Sequence, residues 1–288
     1  MANERLSRRL SALKIPQPAK APGPARRPAS AAAKRKAAAA GRTSEPLGVE
    51  VYLPGAELQT YEGAIYVHER RRSEMDKGTA RFLRRLAKLQ EKTLRLDCHE
   101  QIAFLLTEGL ERAVFLDLET TGLSQSPVFL TGVMTAGKSD WTLRQYFARN
   151  YTEEKALVRH SLDLLDERPH LVTFNGRSFD WPFLKVRAAY HKLKLPKEPF
   201  HLDLLHHSRR HWKGVLENCR LQTLEWKVVG RRRAGDVDGA EIPGLYHQFV
   251  KDGNPWPLAG VFHHNLLDLV TMGDLLVEIL EREVGEGE

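Results

Sequence analysis

Two carboxylates one residue apart, Asp117 and Glu119, close the apolar run V-F-L-D-L-E-T-T-G between Val114 and Gly122. On a strand, residues i and i+2 project from the same face, so both acids aim the same way at the end of a buried run. Like charges so placed repel each other unless a cation lies between them, and a divalent metal answers that need. A lone D-x-E also suits a strand end with solvated acids. The choice between the two rests on the remainder of the chain.

A second acidic segment follows in L-V-T-F-N-G-R-S-F-D-W-P-F-L, from Leu171 to Leu184. Its β-branched start predicts a strand that Asn175 and Gly176 break, with Ser178 capping a helix that carries Asp180. A third, V-F-H-H-N-L-L-D-L-V, begins a long amphipathic helix in which His263 or His264 lies about one turn before Asp268. Four acids and a histidine thus stand at segment ends that a fold could bring together.

In this order, D-L-E-T-T-G, N-G-R-S-F-D and H-H-N-L-L-D resemble the three exonuclease motifs of the DEDD (DnaQ-like) branch of the ribonuclease H-like superfamily. Within that branch the chain is most similar to the YprB-type ribonuclease H-like domain proteins, and the resemblance covers Ala113 to Leu280. It implies a hydrolase of the 3′-to-5′ exonuclease type, acting on DNA or RNA with a free 3′ end. It also implies that Asp117, Glu119, Asp180 and Asp268 are the ligands of two Mg²⁺ or Mn²⁺ ions. Such ions, roughly 3.5–4 Å apart, activate a water and stabilise the leaving oxygen, and hard oxygen donors suit them. An imidazole that titrates near neutral pH can take the proton of that water. Members with a histidine base place it five residues before the final acid, which selects His263; members with a tyrosine place it four before, which selects His264. The H-N-x-x-D string of His264, Asn265 and Asp268 favours His264, and His263 stays the alternative.

Other patterns compete. Gly132 to Ser139 reads G-V-M-T-A-G-K-S, a literal phosphate-loop match. A phosphate loop opens a helix, whereas the following D-W-T-L-R-Q-Y-F alternates like a strand. Val128 to Phe147 is therefore expected to be a β-hairpin with A-G-K-S-D as its turn. His207 and His211 have i, i+4 zinc spacing but no further ligand at a zinc-like interval, which predicts an exposed helix face. Asp236 and Asp238 in D-V-D-G lack the remaining residues of a calcium loop, which predicts a plain turn. Asp203 ends a short strand, either as an acid behind the metal ligands or as a helix N-cap.

The candidate contacts to nucleic acid are Thr120, Asn175 and Phe179 within the motifs, and Arg231 and Arg232 in a Gly-flanked loop. Of Phe179 and Trp181, two apart on a helix, at most one can be a stacking platform. Arg81, Arg84, Arg85 and Lys88 share helical spacing and could line a backbone channel, although a solvated face is the default for such a run.

The net charge of +7 is uneven. Residues 1–43 hold eleven Lys or Arg against one acid, which leaves the remaining chain slightly acidic. Residues 1–47 are accordingly expected to be a disordered basic Ala/Pro-rich tail, suited to counterion-release binding of nucleic acid or to a solubilising role. Residues 48–110 read as a small module: strands at Val49 to Leu53 and Ala64 to Glu69, then a basic helix over Thr79 to Leu94. Residues 111–283 read as the catalytic domain. Two cysteines exclude a disulfide framework and suit a reducing, cytoplasmic setting. No apolar stretch approaches a membrane span of about 20 residues, so no membrane partner is expected.

Three consecutive strands followed by alternating helices and strands predict an α/β fold. Its mixed sheet has the first three strands antiparallel and helices on both faces, matching the ribonuclease H-like fold that the resemblance implies. The function expected is a metal-dependent nuclease. The alternative is a nucleic-acid-binding module of the same fold with weak or no turnover.

Overall fold

The computed structural model describes residues 48–93 and 98–285, so the basic tail expected over 1–47 lies outside the described residues. Seven strands, β1 (Ala56–Thr60), β2 (Gly63–Arg71), β3 (Ala113–Thr120), β4 (Val128–Thr135), β5 (Thr142–Phe147), β6 (His170–Thr173) and β7 (Phe200–Asp203), form one sheet in the order β1-β2-β5-β4-β3-β6-β7. Neighbours from β1 to β3 run antiparallel, and the β3–β6 and β6–β7 pairs run parallel. The helices that cover the sheet are α1 (Thr79–Thr93), α2 (Glu100–Glu108), α3 (Glu154–Glu167), α4 (Asp180–Tyr190), α5 (Leu204–Trp212), α6 (Ile242–Asp252) and α7 (Leu258–Gly285); shorter turns are left unnumbered. This is the mixed ribonuclease H-like sheet, with helices on both faces, that the element order predicts.

The period of two in β3 decides which layer each residue joins. Val114, Leu116 and Leu118 are buried against α3 and α4, whereas Ala113 and Phe115 are buried on the other face with α1, α2, α5 and α7. Asp117 and Glu119 continue the second series, so they face the layer that contains α7. In α1, Phe82, Leu86 and Leu89 are buried at i, i+4 and i+7, an apolar stripe of helical period. A third cluster joins α6 and the start of α7 to Tyr66, Phe129 and Phe147.

The hairpin of β4 and β5 forms where expected, with Gly132 inside β4 opposite Asp117 and β5 following the turn in place of a phosphate-loop helix. The strand expected at Val49 to Leu53 does not form: Val49–Val51 is a 3-10 turn, and Leu53 N–H donates to the Val49 carbonyl at 3.0 Å. Val49 and Leu53, four apart, are both buried, so the apolar spacing that mimics alternation serves a helical turn. The first strand is instead the polar Ala56–Thr60, turned back at Gly63, whose φ of +128° favours glycine. This hairpin joins the sheet through β2 and β5. Among the described residues no helix is long and apolar enough to cross a membrane.

Candidate active site

Asp117 is fixed by a chain of buried amides. Asn265, fully buried on α7, donates Nδ2 to Asp117 Oδ2 at 2.7 Å and to the Asp117 carbonyl at 3.3 Å. Its Oδ1 accepts from Gln145 Nε2 at 2.8 Å, and the same nitrogen donates to the Phe262 carbonyl at 2.8 Å. Gly132 makes this possible, because a Cβ there would lie 2.0 Å from Asn265 Oδ1. Beyond Glu119 the pairing of β3 with β4 slips by a bulge, which ends the strand at the acids.

Asp180 is the first residue of α4, nearly buried, and its Oδ1 accepts from the Leu118 N–H on β3 at 3.1 Å. That bond links the second acidic segment to the strand between the first two acids. The preceding turn is shaped by Asn175, left-handed at φ +67°, a conformation that asparagine tolerates. Asp203, at the end of β7, accepts from the N–H groups of Asn175 at 2.8 Å and Arg177 at 3.1 Å, and from Leu205 at 3.0 Å as the N-cap of α5. Of the two roles expected for Asp203, the N-cap is thus realised, and the same carboxylate holds the turn ahead of Asp180. Ser178 is not the cap of α4: the helix begins at Asp180 with no side-chain cap. The turn is closed by backbone, from the N–H groups of Ser178 and Phe179 to the Asn175 carbonyl at 3.1 and 3.2 Å.

Asp268 and His264 lie one turn apart on α7, with His264 Nε2 3.6 Å from Asp268 Oδ2. His264 Nδ1 is 2.9 Å from Asp236 Oδ1. Arg233 ties this corner together: its Nη2 donates to Asp268, its Nε to Glu225, and its Nη1 to Asp236 at 3.0 Å.

The four acids feel one another. Burial first, then the charges of Asp268, Glu119 and Asp180, push the Asp117 carboxyl well above its usual range. Burial, Asp268, Asp180 and Asp236 do the same to Glu119. Asp180 is pushed up to about 7 by burial, against the bond from Leu118, with Asp203 and Asp268 adding to the rise. Burial opposes a charge on His264, but Asp236 and Asp268 outweigh it and its pKa is raised. Burial lowers the pKa of His263, which makes none of these contacts. An excess of buried negative charge carried on hard oxygen donors suits divalent cations in chemistry. In the described geometry, with Asp268 held by Arg233, no three His, Cys, Asp or Glu side chains among the described residues stand close enough to hold one ion.

Of the expected nucleic-acid contacts, Asn175 and Arg232 are exposed. Thr120 is buried and donates to the Gly122 carbonyl at 2.7 Å, and Phe179 is half-buried with its ring 5.0 Å from that of Phe183. Arg231 is ion-paired with Asp274 and Glu225. Trp181 is a core residue whose Nε1 donates to Glu198 at 2.5 Å. The predicted exposure of His207 and His211 is corrected, because both side chains are buried under α2 and the end of α7. His207 Nε2 lies 3.3 Å from Gln101 Oε1, and His211 Nε2 lies 3.0 Å from Glu283. Asp236 does more than turn the chain, since it binds His264 and Arg233. Sequence reasoning missed Gln145, Arg233 and Asp236 as parts of this site; the signal available was the R-R-R-A-G-D run, which shows cations and an acid but not which of them turns inward.

A family model described as RNase H superfamily matches residues 114–280. The uncharacterized protein YprB of Bacillus subtilis (strain 168) is 36% identical over 177 residues, 60% of this chain and 43% of that protein, so the chain spans under half of that relative's length. A shorter stretch of 44 residues is 43% identical to the catalytic subunit of DNA polymerase epsilon from Dictyostelium discoideum, over 15% of this chain and 2% of that one. Among solved structures, the family B DNA polymerase from the hyperthermophilic archaeon Pyrobaculum calidifontis overlays with a TM-score of 0.48 at 15% identity, covering 61% of this chain and 26% of that chain.

Proposed function

The chain belongs to the RNase H superfamily, and from that premise we propose that it is a metal-dependent nuclease that removes nucleotides from the 3′ end of DNA or RNA. The observation that carries this reading is the gathering of Asp117, Glu119, Asp180 and Asp268, from three distant segments, into one mutually repelling group. These four would hold two Mg²⁺ or Mn²⁺ ions, which supply charge neutralisation of the scissile phosphate and a water of lowered pKa. Holding them requires Asp268 to leave Arg233.

The chain's own residues then have definite tasks. Asn265 keeps Asp117 aimed by holding one of its oxygens, and the Leu118 N–H does the same for Asp180. Asp236 accepts the Nδ1 proton of His264, which leaves Nε2 as the proton acceptor on the Asp268 side. As the water oxygen bonds to phosphorus and the bond to the 3′ oxygen breaks, His264 Nε2 takes the water proton and the departing oxygen is protonated from solvent.

The Arg233–Asp268 pair favours a second reading, a module in which a guanidinium stands where a cation is needed and nucleic acid is bound without turnover. Degradation of 5′-labelled single-stranded and 3′-overhang DNA and RNA, with Mn²⁺, Mg²⁺ or EDTA, separates the two. The expected result is a metal-dependent ladder that is lost in an Asp117→Ala, Glu119→Ala double variant that still binds. Equal activity in that variant would overturn the metal assignment, and binding without cleavage by the unaltered protein would select the second reading.

A further inference from the structure

Arg233 and Asp236 also line an arginine-rich cleft of about 690 Å³ whose aromatic wall has no part in the site described above, a size usual for a ligand site. One wall is a π-helical turn, Glu225–Val229, closed by Gly230 in the left-handed region at φ +81°. Such widened turns re-aim side chains and recur at functional sites. Here the turn buries Glu225 against Arg233 and leaves the neighbouring Trp226 40% exposed at the cleft.

The charges around it are sorted. Arg231 and Arg233 are committed to carboxylates, whereas Arg220, Lys227 and Arg232 make no ion pair among the described residues. Arg232 Cζ lies 4.1 Å and Lys227 Nζ 3.5 Å from the centre of a Trp226 ring. The far wall holds Arg233 and Asp236, the partners of Asp268 and His264. Arg232 and Lys227 thus lie over the indole as cation–π partners with no carboxylate of their own among the described residues, so a base that displaces one of them gains a ring face to stack on and frees that cation to pair with a phosphate, the two parts of a nucleotide.

We propose that Trp226, with Arg232 and Arg220, forms a stacking subsite for an unpaired base of single-stranded nucleic acid, a few nucleotides from the scissile bond. A duplex offers no free base face, so the subsite selects single strands. This deepens the nuclease reading by naming the form of its substrate, and the test reads binding in EDTA, apart from hydrolysis.

The experiment is fluorescence anisotropy of the full chain with labelled oligo-dT, oligo-rU and a blunt duplex, in EDTA at moderate salt, for the unaltered protein, Trp226→Ala, Trp226→Phe and Arg232→Ala. Because a stacked base contributes about 1–3 kcal/mol, Trp226→Ala should weaken single-strand binding at least about fivefold and leave duplex binding unchanged. Trp226→Phe should restore most of the loss, and the dT and rU arms report which sugar the subsite prefers. An unchanged single-strand affinity in Trp226→Ala, or an equal loss on the duplex, would overturn the proposal and leave Trp226 as a surface cover for two cations. Thermal melts that match the unaltered protein exclude misfolding of the variants. Trp226-dependent binding in a protein that cleaves nothing would defeat the nuclease reading and leave the subsite standing.

Discussion

At Gly132 the chain has no side chain where Asn265 needs the space, and the consequence reaches Asp117. In a Gly132→Ala variant the added Cβ meets Asn265 Oδ1 at 2.0 Å, so Asn265 must withdraw and leave Asp117 free to turn. With Asp117 as the metal ligand proposed above, losing the partner that orients it should cost about 10–100-fold in activity, and overpacking of this size costs about 1–3 kcal/mol. Steady-state kinetics with a parallel denaturant titration checks this; an unchanged kcat would mean that Asn265 does not aim Asp117. At this scale the sequence displayed the acids but not their supports. D-x-E, the Asp180 segment and H-H-N-L-L-D are local patterns, while Gln145 meets Asn265 across 120 residues and Arg233 meets Asp268 across 35. Only the packed fold brings those pairs together. His263 and His264 were equivalent by type, and the contact of His264 with Asp236, a turn residue 28 positions away, is what distinguishes them here.

Among the elements, α7 does most to assemble the site, because it carries His264, Asn265 and Asp268 while its later turns pack on α1, α2 and α5. Arg85 of α1, which by spacing could have lined a backbone channel, is instead paired with Glu278 and Glu281 of α7 at 2.8 Å. Leu276 is fully buried in the middle of this packing. Leu276→Ala should lower stability by about 2–5 kcal/mol, measured by chemical denaturation, and a loss below about 1 kcal/mol would mean that this end of α7 is loosely packed. The strands β3 to β5 were legible because β3 and β4 are short apolar runs, the segment of β5 alternates, and turn residues separate them. The strand β1 was not, since A-E-L-Q-T is polar at a sheet edge while V-E-V-Y-L nearby presents the stronger alternation. The buried face of α5 was misread for a similar reason, because histidine at i and i+4 resembles a polar surface until α2 is seen to cover it.

For the molecule as a whole, acid is the revealing perturbant. Burial pushes His201 and His207 down to about 4, so between that value and the unfolded value of about 6.5 the unfolded chain binds more protons and stability falls as pH falls. The raised carboxyls of Asp117, Glu119 and Asp180 act oppositely, since the folded protein takes up their protons first and is relieved of repulsion. The net curve is a difference of the two groups, and a single histidine variant isolates one of them. Relative to a His207→Gln variant, the unaltered protein should lose about 2 kcal/mol of stability from pH 7 to pH 5, measured by denaturant titrations at each pH. A difference that does not vary with pH would mean that His207 binds its proton equally well in the folded and the unfolded chain.

The order of the site residues along the chain also has a consequence in time. Asp117, Glu119 and Asp180 precede the segment that completes the group, because Asp117 is held by Asn265 from 148 residues further on. At a synthesis rate of about 5–20 residues per second, roughly 4 to 18 s separate the emergence of Asp180 from that of Asp268. During that interval the growing chain carries three acids without the helix that supplies the fourth and aims the first. On the proposed reading, a nascent chain therefore has no assembled centre until this last helix has emerged.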